Sequence, residues 1–392
     1  MEELILGELT ERKIGYGIVQ PGESTIGGVP VIKVNNIISG LKSIQDLDTT
    51  HPENDQKYRK TRLNGGEIII SVVGTIGKTA IVPMDFKGCN LVRATALIDI
   101  KDPILSRWVK YYIDSPKGQS YINGNLNTTV QPTLNIKSLV EMPIPFYGRE
   151  YAEKVVAILS KIDDKIENNR KINDNLEQQI LTLYKAWFID LLPFNGIRPS
   201  SWSTGLLSDL LNLQKDTIKP TDVNGMPYLP IDTIPMRSLS INGFAPSEDA
   251  LSSLQKFGFN DIVIGAMRVY FHRVIIAPCD GVTRNTCFVL RPHISNTLAY
   301  SLCICNQKDT IDFAQATSKG TTMPYAVWEG GLANMPITIP DKTTLYEFET
   351  LVMPLISSVR DSYIERIRLE GIRNSLLPKL MSGELKINEI DC

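Results

Sequence analysis

Residues 149–190 read REYAEKVVAILSKIDDKIENNRKINDNLEQQILTLYKAWFID and contain neither Gly nor Pro. Apolar residues recur at alternating steps of three and four, which is the heptad pattern of a helix that packs against another helix. About 36 residues of helix extend roughly 54 Å at 1.5 Å per residue, which is longer than one domain of this chain is wide. The pattern therefore favours a coiled-coil spacer helix over the alternative of an amphipathic helix lying on a domain.

A second stretch, residues 345–381, carries a similar but less regular pattern. Pro354 and Gly371 are expected to mark its first turn and an interruption. Because the linker between the first helix and the next domain is short, we expect the two helices to pair antiparallel. Two asparagines in the seam are expected to fix the register against the partner helix. The predicted seam and docking residues are Val155, Leu159, Ile162, Ile166, Asn169, Asn173, Leu176, Ile180, Leu183, Val352, Ile356, Val359, Tyr363 and Ile367.

The chain repeats itself at a spacing of about half its length. Thr128-Thr129, Leu139 and Met142-Pro143-Ile144 recur 193 residues later as Thr321-Thr322, Leu332 and Met335-Pro336-Ile337. Further blocks agree within a few residues, among them 67–70 with 261–264 and 80–83 with 275–278. Such a long period excludes a solenoid and predicts two structurally similar halves.

Within each half, short runs of β-branched residues alternate with Gly, Pro and Asn turns, which is typical of strands. The predicted fold class is α+β, with two pseudo-symmetric β-rich domains separated by two long helices that form an antiparallel coiled coil. The expected boundaries are 1–147 for the first domain, 148–190 for the central helix, 191–200 for a linker, 201–340 for the second domain, 341–385 for the C-terminal helix and 386–392 for a tail.

The composition and the spacing of Cys and His argue against a metal-binding or membrane-spanning protein. The chain has 392 residues, a net charge of -2, six Cys and three His. No Cys pair or His has the spacing of a metal site, so reduced thiols and no bound metal are expected. We expect a cytoplasmic protein, because the sequence begins without a signal-peptide pattern and has no apolar run of membrane-spanning length.

No motif predicts catalysis or nucleotide binding. The segment Gly74-Thr75-Ile76-Gly77-Lys78 ends like a phosphate-binding loop, but Val72 stands where that motif requires glycine. A tight turn between two strands, with Lys78 exposed on it, is the better interpretation. Gly15-Tyr16-Gly17 lacks the third glycine of a dinucleotide fingerprint. We therefore predict no catalytic residue.

Basic, aromatic, hydroxyl and amide side chains in the two domains are the candidate contacts to DNA, and for the threonines a capped turn is an equal alternative. The segment 57–62 places four basic residues and a tyrosine within six positions, which suits phosphate and guanine contacts, although a solvated loop is an equal alternative. Residues 268–273 have the alternation of a strand, so 268, 270 and 272 would share one face, although Tyr270 could equally belong to the core. The candidate DNA-binding residues are Lys57, Tyr58, Arg59, Lys60, Arg62, Lys78, Arg93, Asn127, Thr128, Gln131, Arg268, Tyr270, His272, Arg273, Arg284, Lys319, Thr321 and Thr322.

The duplicated chain resembles the specificity subunit of type I restriction-modification systems. The segments that carry the resemblance are IGYGIVQPG at 14–22, GTIGK at 74–78, TVQPTLNI at 129–136, LYKAWFID at 183–190 and LLPKLMSGEL at 376–385. The second domain departs from the pattern, with Ala266-Met267-Arg268-Val269-Tyr270 in place of the Gly-Thr-Ile-Gly-Lys block. Contacts therefore cannot be transferred from one domain to the other.

The resemblance implies a non-catalytic reader of double-stranded DNA, in which each domain recognises one half of a bipartite target and the helices set the gap. It also implies two methyltransferase subunits docked on the helices and an endonuclease/translocase partner. S-adenosylmethionine, ATP and Mg would belong to those partners, and none to this chain. The alternatives are a DNA methyltransferase with an unrecognised active site and a coiled-coil structural adaptor.

Overall fold

The computed structural model describes residues 2–41, 43–127 and 132–385. The chain divides into two compact units, residues 1–163 with 371–392 and residues 164–370. The described cysteines, Cys89, Cys279, Cys287, Cys303 and Cys305, are all free thiols. Within the described ranges, no helix is long and apolar enough to cross a membrane.

The first unit begins with β-rich structure and leads into the central helix. Its elements are β1 Glu2–Ile5, β2 Arg12–Tyr16, β3 Val29–Ile32, α1 Val34–Ser39, β4 Asp48–Thr50, α2 Pro52–Lys57, β5 Ile68–Ser71, β6 Thr79–Ile81, β7 Asn90–Leu91, β8 Thr95–Asp99, α3 Pro103–Asp114, α4 Pro116–Gly124, β9 Leu126–Asn127, β10 Thr133–Leu134, α5 Ile136–Val140, β11 Pro143–Phe146 and α6 Arg149–Tyr184, which continues into the second unit.

The second unit has a similar general order, with strands followed by two helices, a last strand and a long helix. After a π-helical turn at Lys185–Ile189 it contains β12 Ser203–Leu206, β13 Leu211–Leu213, β14 Thr217–Ile218, β15 Tyr228–Leu229, β16 Leu254–Phe257, β17 Ile262–Gly265, β18 Val274–Ile276, β19 Gly281–Arg284, β20 Cys287–Pro292, α7 Leu298–Cys305, α8 Lys308–Ala316, β21 Pro336–Ile339 and α9 Lys342–Met381, whose last part belongs to the first unit.

Sheet topology confirms the internal repeat. The four-stranded antiparallel sheet β2-β8-β5-β6 of the first domain recurs as β13-β20-β17-β18 in the second, and the pair β1-β11 recurs as β12-β21. A parallel strand pair also occurs in both domains, as β3 with β7 and as β15 with β19. The central strands β5 and β17 are buried along their whole length, which explains their nearly continuous runs of Ile and Val.

A buried carboxylate precedes the central strand in each domain. Glu67 accepts a hydrogen bond from Arg12 at 2.6 Å and from the backbone N–H groups of the turn before it. Asp261 accepts two from Arg291, at 2.7 and 2.8 Å, and one from the Gly258 N–H group. Each carboxylate closes the turn that leads into its strand. The two domains therefore share this buried polar contact as well as the sheet topology.

Replacing Asp261 with Asn is expected to lower the free energy of unfolding by about 2 kcal/mol, because the half-exposed Arg291 then loses its ionic partner and a buried acceptor is lost. Urea denaturation with matched m-values measures this loss. Asp312→Asn is the control, since Asp312 pairs with Lys308 on an exposed helix surface where ion pairs contribute little. Equal effects of both variants would contradict the structural role of Asp261.

The two long helices form the predicted antiparallel pair. In the second unit, Asn169 donates to Glu365 at 2.8 Å and Asn173 donates to the Val359 carbonyl at 3.1 Å, so residues later in α6 meet residues earlier in α9. The asparagines thus fix the register, as their place in the seam predicts. In the first unit, the buried residues Val155, Leu159, Leu377 and Leu380 share one core cluster.

Helix α9 corrects two details of the sequence prediction. Pro354 lies in its interior rather than in its first turn, and Gly371 does not interrupt it. The buried residues Val352 and Ile356 flank the exposed proline and hold the helix through it. Tyr363 and Ile367, predicted in the seam, pack in a cluster with Ile241 and Phe257 of the second domain.

Two buried charged residues join the helix pair to one loop of the second domain, residues 238–242. Glu177 on α6 accepts hydrogen bonds from the Ser238 hydroxyl and the Ser240 N–H group, at 3.0 and 3.1 Å. Arg366 on α9 donates to the Ile241 carbonyl at 2.6 Å. Burial raises the pKa of Glu177, and these hydrogen bonds oppose that rise. The loop is therefore held by both helices.

Candidate nucleic-acid interface

In the first domain, the loops at one end of the four-stranded sheet are hydrogen-bonded side by side. Ile18 forms a parallel bridge with Val92, the Val72 N–H group donates to the Ala94 carbonyl at 2.8 Å, and the Leu134 N–H group donates to the Val72 carbonyl at 2.9 Å. Strand β10 then pairs with β9. We call residues 17–19, 72–78, 92–94, 126–127 and 132–134 the first loop row.

The first loop row carries three of the predicted DNA-binding residues. Arg93, Lys78 and Asn127 are exposed, and no described residue forms a hydrogen bond or ion pair with their side chains. Gly74 and Gly77 have the left-handed backbone that the predicted tight turn requires, with φ of 77° and 82°. Cations without a carboxylate partner are available to phosphate groups, so this surface suits DNA.

The second domain builds the same row from different residues. Met267 forms a bridge with Tyr325, Tyr325 forms a bridge with Lys319, and the Ala266 N–H group donates to the Thr286 carbonyl at 2.8 Å. We call residues 266–272, 284–286, 319 and 322–326 the second loop row. The predicted residues Arg268, Tyr270, Lys319 and Thr322 are exposed on it, and Thr321 is exposed next to it.

A cleft of about 480 Å³ opens beside the second loop row, and the sequence did not predict it. Asn285 and Tyr325 line it, and an ion pair of 2.6 Å joins Lys215 to Glu329 along its wall. In sequence, the block Met323-Pro324-Tyr325-Ala326 replaces Gln131-Pro132-Thr133-Leu134 of the first domain, and Thr133 and Tyr325 occupy the same place in the two rows. This alignment is the signal that could have identified Tyr325 as a site residue. Nearby, Arg284 donates to the Ser252 hydroxyl at 2.5 Å.

The prediction of a strand at residues 268–273 is wrong. Strand β17 ends at Gly265, and the chain must reverse before β18, so Val269–Phe271 forms a 3-10 helix instead. His272 lies 2.9 Å from the Asn306 side-chain oxygen, and the Arg273 guanidinium donates to the Ile231 carbonyl. These two side chains are thus held by the fold, whereas Arg268 and Tyr270 remain exposed.

The basic segment 57–62 is helical and divides its side chains between surface and core. Lys57, Arg59 and Lys60 are exposed, and no described residue pairs with them. The Arg62 guanidinium is bound by the buried carboxylate of Asp55, and Tyr58 packs in a cluster with Ile18. Three of the four cations are therefore available to a ligand.

Two predicted residues, Thr128 and Gln131, lie outside the described residues. In the part of the chain that the structure does describe, no group of three or more His, Cys, Asp or Glu side chains could hold a metal ion.

Comparison with known proteins gives consistent results. Residues 3–178 match the family described as type I restriction modification DNA specificity domain. The MjaIX type I restriction enzyme specificity subunit of Methanocaldococcus jannaschii is 26% identical over 310 residues, covering 74% of this chain and 71% of that protein. The EcoBI specificity subunit of Escherichia coli is 28% identical over 189 residues, covering 46% of this chain and 40% of that protein.

A solved structure shares the fold. The crystal structure of a type I restriction-modification S subunit from M. genitalium matches with a TM-score of 0.54 and 14% sequence identity, over 97% of this chain and 95% of that chain.

The chain contains two copies of one α+β domain, each with a basic loop row, and a long antiparallel helix pair. These features define the class of this protein, a DNA sequence-recognition subunit. The chain is similar to the specificity subunits of type I restriction-modification systems, and its residues 3–178 match their DNA specificity domain. This confirms the family predicted from the sequence, and neither alternative, a methyltransferase or a structural adaptor, is favoured.

Proposed function

We propose that each loop row contacts one half of a bipartite DNA target. The observation that carries this proposal is that both domains have a loop row. The first loop row presents Arg93 and Lys78, and the second presents Arg268 and Lys319. Different side chains on the same frame are what two different half-sites require, because base edges are read by side-chain donors and acceptors.

The helix pair sets the gap between the half-sites in this proposal, and two methyltransferase subunits and an endonuclease/translocase subunit assemble on the chain. S-adenosylmethionine, ATP and Mg then serve those partners, and the complex works on DNA in the cytoplasm. The net charge of -2 is compatible with this arrangement, because partners that enclose the duplex can neutralise many of its phosphates.

Co-expression with candidate type I methyltransferase subunits from the same genome tests the proposal. We expect a stable complex that methylates adenines at one bipartite sequence, detected by sequencing of the modified DNA. Absence of a complex, or methylation without a defined sequence, would refute the proposed function. The isolated chain is expected to show no binding of S-adenosylmethionine, which separates a recognition subunit from a methyltransferase.

Triple substitution of Lys57, Arg59 and Lys60 by Ala should weaken DNA binding by the complex and reduce the slope of log K against log salt by up to about 2.7, since each phosphate contact contributes about 0.9. Arg62 is kept because Asp55 binds it. Alanine at Lys137, Lys154 and Lys308 is the charge-matched control, because each of these lysines pairs with a carboxylate one helical turn away. An unchanged slope would mean that segment 57–62 does not contact the DNA phosphates.

A further inference from the structure

A turn that leads from the central strand into the edge strand occurs in both domains, with a left-handed residue at its third and its next-to-last position. The turn of the second domain is one residue longer and contains a 3-10 helix. In the first domain it joins β5 to β6, and its left-handed positions are Gly74 and Gly77. In the second domain it joins β17 to β18, and its left-handed positions are Arg268, at φ 50° and ψ 55°, and His272, at φ 52° and ψ 61°. Residues with side chains have thus replaced both glycines.

A left-handed backbone is strained for residues other than glycine, so each replacement requires a compensation. His272 has one within the fold, because its ring nitrogen lies within 3.0 Å of both oxygens of Asn306. The Arg268 side chain has none among the described residues, since it is exposed and forms no hydrogen bond or ion pair with them. No contact of the Arg268 side chain with the described residues therefore stabilises the fold.

The backbone of Arg268 is nevertheless firmly held on the second loop row. Its N–H group donates to the Pro324 carbonyl at 2.8 Å, and its carbonyl accepts from the Phe271 N–H group at 2.9 Å. Tyr325 and Lys319 follow in the same row, linked by two backbone hydrogen bonds of 2.9 Å. The fixed backbone thus places an unpaired guanidinium group at a defined position of the row, where it is available to a ligand.

We propose that Arg268 reads a guanine in the major groove through its guanidinium group, and that the matching position in the first domain, Gly74, offers only backbone. This inference rests on the proposed function and assigns one base contact within it. A guanidinium can donate two parallel hydrogen bonds to O6 and N7 of guanine, which an ammonium cannot do with the same fixed geometry. The equivalent turns of the two domains therefore contact DNA differently, the second with a guanidinium group and the first with backbone groups only.

Replacing Arg268 with Gly in the assembled complex separates recognition from folding. Because glycine relieves the left-handed strain, the melting temperature should stay the same or rise by up to about 4 °C. Discrimination at one base pair of one half-site should fall by about 10- to 100-fold, measured by competition between duplexes that differ at that position. Sequenced methylation should then become degenerate at that position alone.

Arg268→Lys is the charge-matched variant, and it should keep the salt dependence of binding while losing most of the base discrimination. Arg237→Gly, at an exposed arginine that also has a left-handed backbone (φ 56°) but lies outside the second loop row, should leave the methylated sequence unchanged. If Arg268→Gly kept full discrimination while the wild-type complex methylated a defined sequence, this inference would be wrong and the proposed function would stand. A wild-type complex without any defined sequence would instead refute the proposed function.

Discussion

Exchanging residues 200–340 for the equivalent domain of a related specificity subunit is expected to change one half of the methylated sequence and to leave the other half and the gap unchanged. The cut points precede β12 and follow β21, so the second loop row moves as a whole while α6 and α9 stay. The donor domain must keep hydrogen-bonding groups at 238–242, because Glu177 and Arg366 hold that loop.

Sequencing of methylated adenines in cells that carry the hybrid measures the result. The reciprocal exchange of residues 1–147 is the matched control, and it should change the opposite half-site. If either exchange altered both half-sites together, the assignment of one half-site to each domain would be wrong. A hybrid that folds but methylates nothing would indicate that loop 238–242 has lost its hydrogen bonds to Glu177 and Arg366. Restoring Ser238 and Ser240 should then recover methylation.

The sequence predicted the long helices and the duplication because both depend on regular spacing. Heptad steps locate the helix that the structure places at Arg149–Tyr184, and the same spacing buries Ile166, Asn169 and Asn173. The repeated blocks at 67–70 and 261–264 mark two equivalent central strands. Such patterns can be read without knowing which distant residues meet.

The prediction at residues 268–273 was wrong because contacts distant in sequence decide that segment. Alternation suggested a strand, but the hydrogen bond from the Arg268 N–H group to Pro324 and the return of the chain to β18 impose a 3-10 turn. Alternation over a few residues is weak evidence when the neighbouring strands are unknown.

The candidate site shows the same limit. Residue type identified the cations, but it could not tell that Asp55 would bind Arg62 and leave Lys57, Arg59 and Lys60 exposed. The choice of partner depends on which carboxylate is buried nearby, and only the fold determines this. Composition therefore located the basic segments without separating free side chains from paired ones.

Lengthening both helices by one heptad is expected to widen the gap between the half-sites by about 3 base pairs, since seven residues add about 10.5 Å and each base pair spans about 3.4 Å. The boundaries of the two units give the positions, after Asp163 in α6 and after Glu370 in α9. Pairing within each unit then stays intact, including Asp163 with Arg373 and Arg170 with Glu370.

An insertion in α6 alone should behave differently. The contacts of Val155 and Leu159 with Leu377 and Leu380, and that of Asn173 with Val359, could not all form with seven extra residues on one side. We therefore expect the single insertion to lower the melting temperature and the yield of complex, whereas the double insertion keeps both. Sequenced methylation should show two unchanged half-sites with a longer gap for the double insertion, and an unchanged gap would mean that the helices do not set it.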